Sequence, residues 1–114
     1  MVTPKQGDVY WVKFGPMKDS DPSGKRPAIV IQNNLLNRSN IRTTVVVLIT
    51  SNQKLAAVPN NIRLSKGIAN LPKTSVVIVS QMATVDKGRL LEKIGTLGKE
   101  SREAVIQGCQ WVIQ

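Results

Sequence analysis

The sequence predicts an α+β fold: a small, strongly bent antiparallel sheet or barrel closed by one C-terminal helix. Five to seven short β-branched or alternating segments succeed one another with loops between them, and only the stretch from Lys99 onward has the apolar spacing of a helix. The length of 114 residues, 41% of them apolar, suits a single domain spanning 1–114 with one core.

Each element follows in order. Asp8 to Phe14 (DVYWVKF) sets Tyr10, Val12 and Phe14 on one face of a strand and Val9, Trp11 and Lys13 on the other, so a half-buried strand is expected. Gly15 to Lys25 (GPMKDSDPSGK) holds two Pro and two Gly and reads as a long connection, of the kind that carries function in small domains. Pro27 to Gln32 (PAIVIQ) is apolar on both faces and reads as a central strand, with Pro27 tolerated at its first position. NNLLNRSNIR then forms a turn or short helix. Thr43 to Ser51 (TTVVVLITS) is too rich in β-branched residues for a helix, and it places the hydroxyls of Thr50 and Ser51 at a strand exit. Asn61 to Ser65 is a short strand, and Ser75 to Gln81 (SVVIVSQ) a buried one, with MATVD after it. A turn of helix starts at Asp86, and a last strand lies near Glu92 to Leu97. From Lys99, the residues Val105, Ile106, Cys109, Val112 and Ile113 form the apolar stripe of an amphipathic helix.

Sixteen Lys and Arg against seven Asp and Glu give a net charge of +9. The surplus is local: residues 1–80 hold 11 basic and 3 acidic side chains, and residues 81–114 hold 5 and 4. Composition alone leaves two readings, a polyanionic partner or simple solvation. The lone Cys109 allows no intrachain disulfide, and MVTPKQGDVYW lacks a signal peptide's apolar run, so a cytoplasmic protein is expected. The longest apolar run, Val45 to Ile49, is far short of the roughly 20 residues a membrane span needs, so no membrane segment is expected. Asn37-Arg38-Ser39 matches a glycosylation acceptor that a cytosolic chain would not use.

The residue inventory narrows the chemistry. With no histidine and one cysteine, imidazole acid–base catalysis, Ser-His-Asp and Cys-His systems and the usual zinc sites are excluded, and no metal or other cofactor is expected. Gly24-Lys25 is not a phosphate-binding P-loop, because Arg26 follows the lysine and a strand, not a helix, comes next. What remains is Arg, Lys, hydroxyls and backbone amides, groups that stabilise negative charge. They suit attack of a ribose 2′-hydroxyl on its own 3′-phosphate, where an enzyme contributes positioning and charge neutralisation. An arginine at a sheet edge offers a planar fork of donors to phosphate oxygens, and Thr50 could bond the same phosphate or the leaving oxygen.

GDVYWVKF, then SGKRPAIVIQNNLLN, TVVVLITSN and VVIVSQMATVDKGRLLEKIG resemble, in order and spacing, the MazF/PemK family of toxin endoribonucleases from roughly Gly7 to Val112. The resemblance implies an SH3-like antiparallel β-barrel of the CcdB/Kid/MazF type with a C-terminal helix. It implies a homodimer, metal-independent and sequence-specific cleavage of single-stranded RNA to 2′,3′-cyclic phosphate and 5′-hydroxyl ends, and inhibition by a cognate acidic antitoxin, MazE-like, whose disordered tail competes for the basic surface. The family's catalytic arginine falls on Arg26 and its hydroxyl residue on Thr50, with Ser51 and Asn52 beside it. Asp21 stands where the family usually has Glu. An Arg-x-Asp pair used by one branch of the family meets Ile78 and Ser80 here, so that branch's acid–base scheme does not transfer and the general base stays open.

Lys18, Lys25, Lys54 and Arg42 are read as phosphate-steering charges or solvated surface. Trp11 is read as a base-stacking platform or as core, Tyr10 as core, Cys109 as packing, and Trp111 as core or a dimer-facing patch. Two rival functions remain at this point: a noncatalytic nucleic-acid-binding module on the same barrel, and a gyrase-binding toxin of the same fold.

Overall fold

The structure, a computed structural model, describes residues 3–16 and 24–114. The strands are Asp8–Lys13 (β1), Lys25–Val30 (β2), Thr43–Thr50 (β3), Ile62–Leu64 (β4), Ser75–Asp86 (β5) and Leu90–Thr96 (β6). They form one antiparallel sheet in the order β4-β5-β3-β2-β1-β6, curled into a half-barrel. Two helices accompany it, Asn34–Arg38 (α1) and Lys99–Ile113 (α2). Among the described residues no helix is long and apolar enough to cross a membrane.

The curl has a local cause. β3 pairs with β5 in two registers, Val47↔Met82 and then Ile49↔Val77, and the irregularity between them bends both strands. This joins the SVVIVSQ and MATVD segments into one 12-residue strand, whose first three residues also pair with β4. β2 begins two residues before Pro27 because Lys25 and Arg26 pair with Lys13 and Val12 of β1.

Bending the sheet covers both of its faces. Val9, Ile29, Val47, Ile49, Val77 and Val79 pack with Val105 and Cys109 of α2, while Tyr10, Val12, Ala28, Val30, Val46, Val85 and Leu90 form a second cluster. The expectations of one core and of a half-buried first strand therefore fail. Every residue of β1 except Trp11 is buried, Lys13 included, because β1 lies inside the sheet between β2 and β6.

The asparagine-rich segment is a polar knot rather than a free turn. Asn33 Oδ1 accepts from the Leu35 N–H at 2.8 Å and caps α1. Asn37 is 1% exposed: its Oδ1 accepts from Gln32 Nε2 and Thr44 Oγ1, both at 2.9 Å, and its Nδ2 donates to the Gln32 carbonyl at 2.9 Å. Burial closes this asparagine to glycosylation. On α2, Gly108 lets the helix approach β5, since an added Cβ would sit 2.8 Å from Val79 Cγ1. Cys109 is packing as expected, and burial pushes its thiol up to about 11. Trp111 is 46% and Ile113 75% exposed.

Asn37→Ala strands the buried Gln32 and Thr44 groups and is expected to cost about 2–4 kcal/mol. A lower denaturant midpoint at unchanged slope would show it. Leu35→Ala, at a side chain 73% exposed, should stay within about 0.5 kcal/mol of the parent. The Cys109 thiol should resist alkylation at pH 8 in the folded protein and react once denaturant is added.

Candidate active site

A cavity of about 270 Å³ opens where β2 begins and β3 ends, and Trp11, Arg26, Thr50, Ser51, Lys73 and Ser75 are among its lining. Strand pairing brings these residues together. The last β2–β3 pair at this end is Ala28↔Leu48, so Arg26 and Thr50 each lie two residues beyond it on neighbouring strands. Trp11 arrives through its pairing with Pro27, and Ser75 through the adjacent pair Thr50↔Val76.

One wall is a strap across the edge of β6. Asn70 Nδ2 donates to the Ile94 carbonyl at 3.2 Å, and Ala69 and Asn70 adopt left-handed φ values of 51° and 60°. The strap lies so close that a Cβ on Gly95 would overlap the Ala69 carbonyl. Leu71 and Ile94 thereby face the cavity.

The hydroxyl of Thr50 is oriented. Its Oγ1 accepts from the Asn52 N–H at 3.2 Å, which leaves its proton free to donate. Asn52 Oδ1 in turn accepts from the Lys54 N–H at 3.1 Å and caps a 3₁₀ turn, Gln53–Ala57. Gln53 Nε2 donates to the Thr74 carbonyl at 2.8 Å, and Ser75 Oγ donates to the Lys73 carbonyl at 2.8 Å. The exit of β3 and the entry to β5 are thus tied into one rim.

Arg26 is exposed at the mouth and follows a clamped loop base. The Phe14 N–H donates to the Gly24 carbonyl at 2.8 Å, and Arg89 Nη1 donates to the carbonyls of Lys13 at 2.9 Å and Gly15 at 2.6 Å. Gly24 has φ +78°, and any Cβ there would overlap the Phe14 carbonyl oxygen. Lys25 Nζ stands 5.0 Å from the centroid of the Trp11 ring, a cation–π contact. Among the described residues the lining carries the cations Arg26 and Lys73 and no carboxylate. The ion pairs among the described residues lie elsewhere, Arg42–Asp86 at 3.8 Å and Lys93–Asp8 at 3.4 Å. Described residues hold no cluster of three His, Cys, Asp or Glu.

Of the residues singled out in the sequence, Trp11, Arg26, Thr50 and Ser51 share this cavity, and Lys25 joins them through Trp11. Asn52 and Lys54 are exposed on the adjoining 3₁₀ turn and lie outside the lining. Arg42 is at the opposite end of β3, and Lys18 and Asp21 lie outside the described residues. Sequence reasoning missed Lys73 and Ser75. Their only signal is the pairing of Thr50 with Val76, which links strands distant in sequence.

Residues 5–113 match the model of the PemK-like, MazF-like toxins of type II toxin–antitoxin systems. The chain is 34% identical over 108 residues to the endoribonuclease MazF2 of Mycobacterium bovis, covering 95% of each, and 34% identical over 106 residues to the endoribonuclease EndoA of Bacillus subtilis, covering 93% of this chain and 90% of that one. Its fold is similar to that of a mycobacterial endoribonuclease in complex with its cognate antitoxin, with a TM-score of 0.76 at 19% identity over 99% of this chain and 95% of that one. A family match across nearly the whole chain, together with relatives at this identity, places the protein in the PemK-like, MazF-like toxin family of type II toxin–antitoxin systems.

Proposed function

We propose that this toxin endoribonuclease cuts single-stranded RNA at short sequences without a metal ion, with Arg26 and Thr50 as the residues on the scissile phosphate. The convergence of an exposed guanidinium and an oriented hydroxyl in one cavity, whose described lining has cations and no carboxylate, carries the reading. The RNA brings its own nucleophile. The ribose 2′-oxygen attacks the adjacent phosphorus, the bond to the 5′-oxygen breaks, and the products are a 2′,3′-cyclic phosphate and a 5′-hydroxyl. Arg26 donates to the non-bridging oxygens as charge accumulates, and the free proton of Thr50 donates to the same phosphate or the departing oxygen. The proton released by the 2′-hydroxyl is balanced by the one that the 5′-oxygen takes up, Thr50 contributes a hydrogen bond and keeps its own proton, and the described lining holds no carboxylate or imidazole to serve as the general base.

Trp11 offers a π-face to an unpaired base at the cavity mouth, and Lys25, Ser51 and Lys73 surround the strand on either side. Asn52 and Lys54, exposed next to the cavity, contact the RNA as well, as do Lys18 and Asp21, and the β1–β2 connection and the segment after β3 read its sequence. The protein works as a cytoplasmic homodimer in which residues 1–114 fold as one domain. The excess of basic over acidic side chains in residues 1–80 supports inhibition by an acidic antitoxin tail that occupies the RNA surface.

Incubating the protein with unstructured RNA in excess chelator should yield cyclic-phosphate ends. Arg26→Ala should lose about 10²-fold or more in rate and Thr50→Ala a comparable factor, with the fold intact. Cleavage that needs added metal, or an Arg26→Ala variant that cuts normally, would refute the mechanism. Gly24→Ala should reduce cleavage as well, because the overlap with Phe14 shifts the entry to β2 and with it Arg26; a Gly24→Ala enzyme at parental rate would show that the loop base does not position the arginine.

A further inference from the structure

A second cavity, of about 300 Å³, lies at the other end of β3 and has Thr3, Arg38, Ser39, Asn40, Arg42 and Lys87 in its lining. Since β3 runs from Thr43 to Thr50, a rise of 3.3 Å per residue puts it about 23 Å from the Thr50 site. The two cavities therefore cannot hold the same phosphate.

Its charge is unusual in one respect. Lys87 is only 5% exposed, and its Nζ donates at 3.0 Å to the Asn37 carbonyl, a neutral group near the end of α1. Among the described residues no carboxylate lines the cavity. The neighbouring Asp86 faces Arg42 Nε at 3.8 Å with one oxygen, and its Oδ1 accepts from the Gly88 N–H at 2.7 Å. A buried ammonium without an anionic partner is costly, and two guanidiniums at its rim present the planar forks that match phosphate oxygens.

We propose that this cavity is a phosphate-binding site, separate from the cleavage site, filled by a flanking phosphodiester of a long RNA or by free inorganic phosphate. The Lys87 ammonium supplies the buried charge, Arg38 and Arg42 the exposed donors, and Ser39 and Asn40 further polar groups.

The first arm titrates inorganic phosphate into the isotopically labelled full chain and follows amide resonances. Saturable shifts are expected at Ser39 to Arg42 and at Lys87, and they should vanish in an Arg38→Ala, Arg42→Ala double variant, whose substitutions are on exposed side chains and spare the Lys87 contact to α1. The second arm measures affinity against salt for a long unstructured RNA whose 2′-hydroxyls are methylated and so cannot attack. If an RNA phosphate is the occupant, the double variant's log–log slope should fall by roughly 0.7, the value for one phosphate on a single strand. Saturable phosphate shifts with an unchanged slope assign the site to the free anion. Phosphate shifts absent at these residues, or confined to the Arg26 cavity, overturn the proposal; the wild-type titration does not depend on whether the protein cleaves RNA.

Discussion

Everything at the candidate active site depends on how β2 and β3 are paired. Ala28, Ile29 and Val30 face Leu48, Val47 and Val46, and the two cores hold alternate residues of this ladder on opposite faces of the sheet. A slip of one residue would turn each set to the wrong face, so packing fixes the register. Past the last pair at one end, β2 still has Arg26 and β3 still has Thr50. The apolar interior thus determines where a cation and a hydroxyl meet, and the chemistry inherits its geometry from the core.

The site around them is built from fixed pieces. The Phe14–Gly24 bond and the Arg89 clamp hold the base of the β1–β2 connection, the Asn52 amide aims the Thr50 hydroxyl, and the Gln53–Thr74 bond ties two rim segments together. Preorganised donors act without reorganising as charge develops, which is how, in the mechanism proposed above, a protein with no histidine accelerates a phosphoryl displacement whose nucleophile belongs to the substrate. The resemblance in the sequence points to Arg26 and Thr50, and strand pairing brings the same two residues into one cavity.

Much of this was legible in the sequence, for identifiable reasons. TTVVVLITS and PAIVIQ announce strands by β-branching, and both strand ends carry the polar groups that stand out against an apolar run. The two-faced burial of β1 was not legible, since its alternation of Val9, Tyr10 and Trp11 looks the same whether or not a bent sheet covers the second face. Nor was the full length of β5, which depends on a register change opposite Val47 and Ile49. Lys73 and Ser75 escaped notice because their proximity to Thr50 comes from strand pairing, and the Asn37–Lys87 contact joins residues 50 apart.

The most direct measurement is a crystal structure with an RNA oligonucleotide that carries a 2′-deoxyribose at the cut and so cannot react. The Arg26 guanidinium should lie about 2.7–2.9 Å from the non-bridging oxygens of the scissile phosphate, with the Thr50 hydroxyl on the same group. An Arg26 side chain turned away from that phosphate, with another residue in its place, would contradict the central claim.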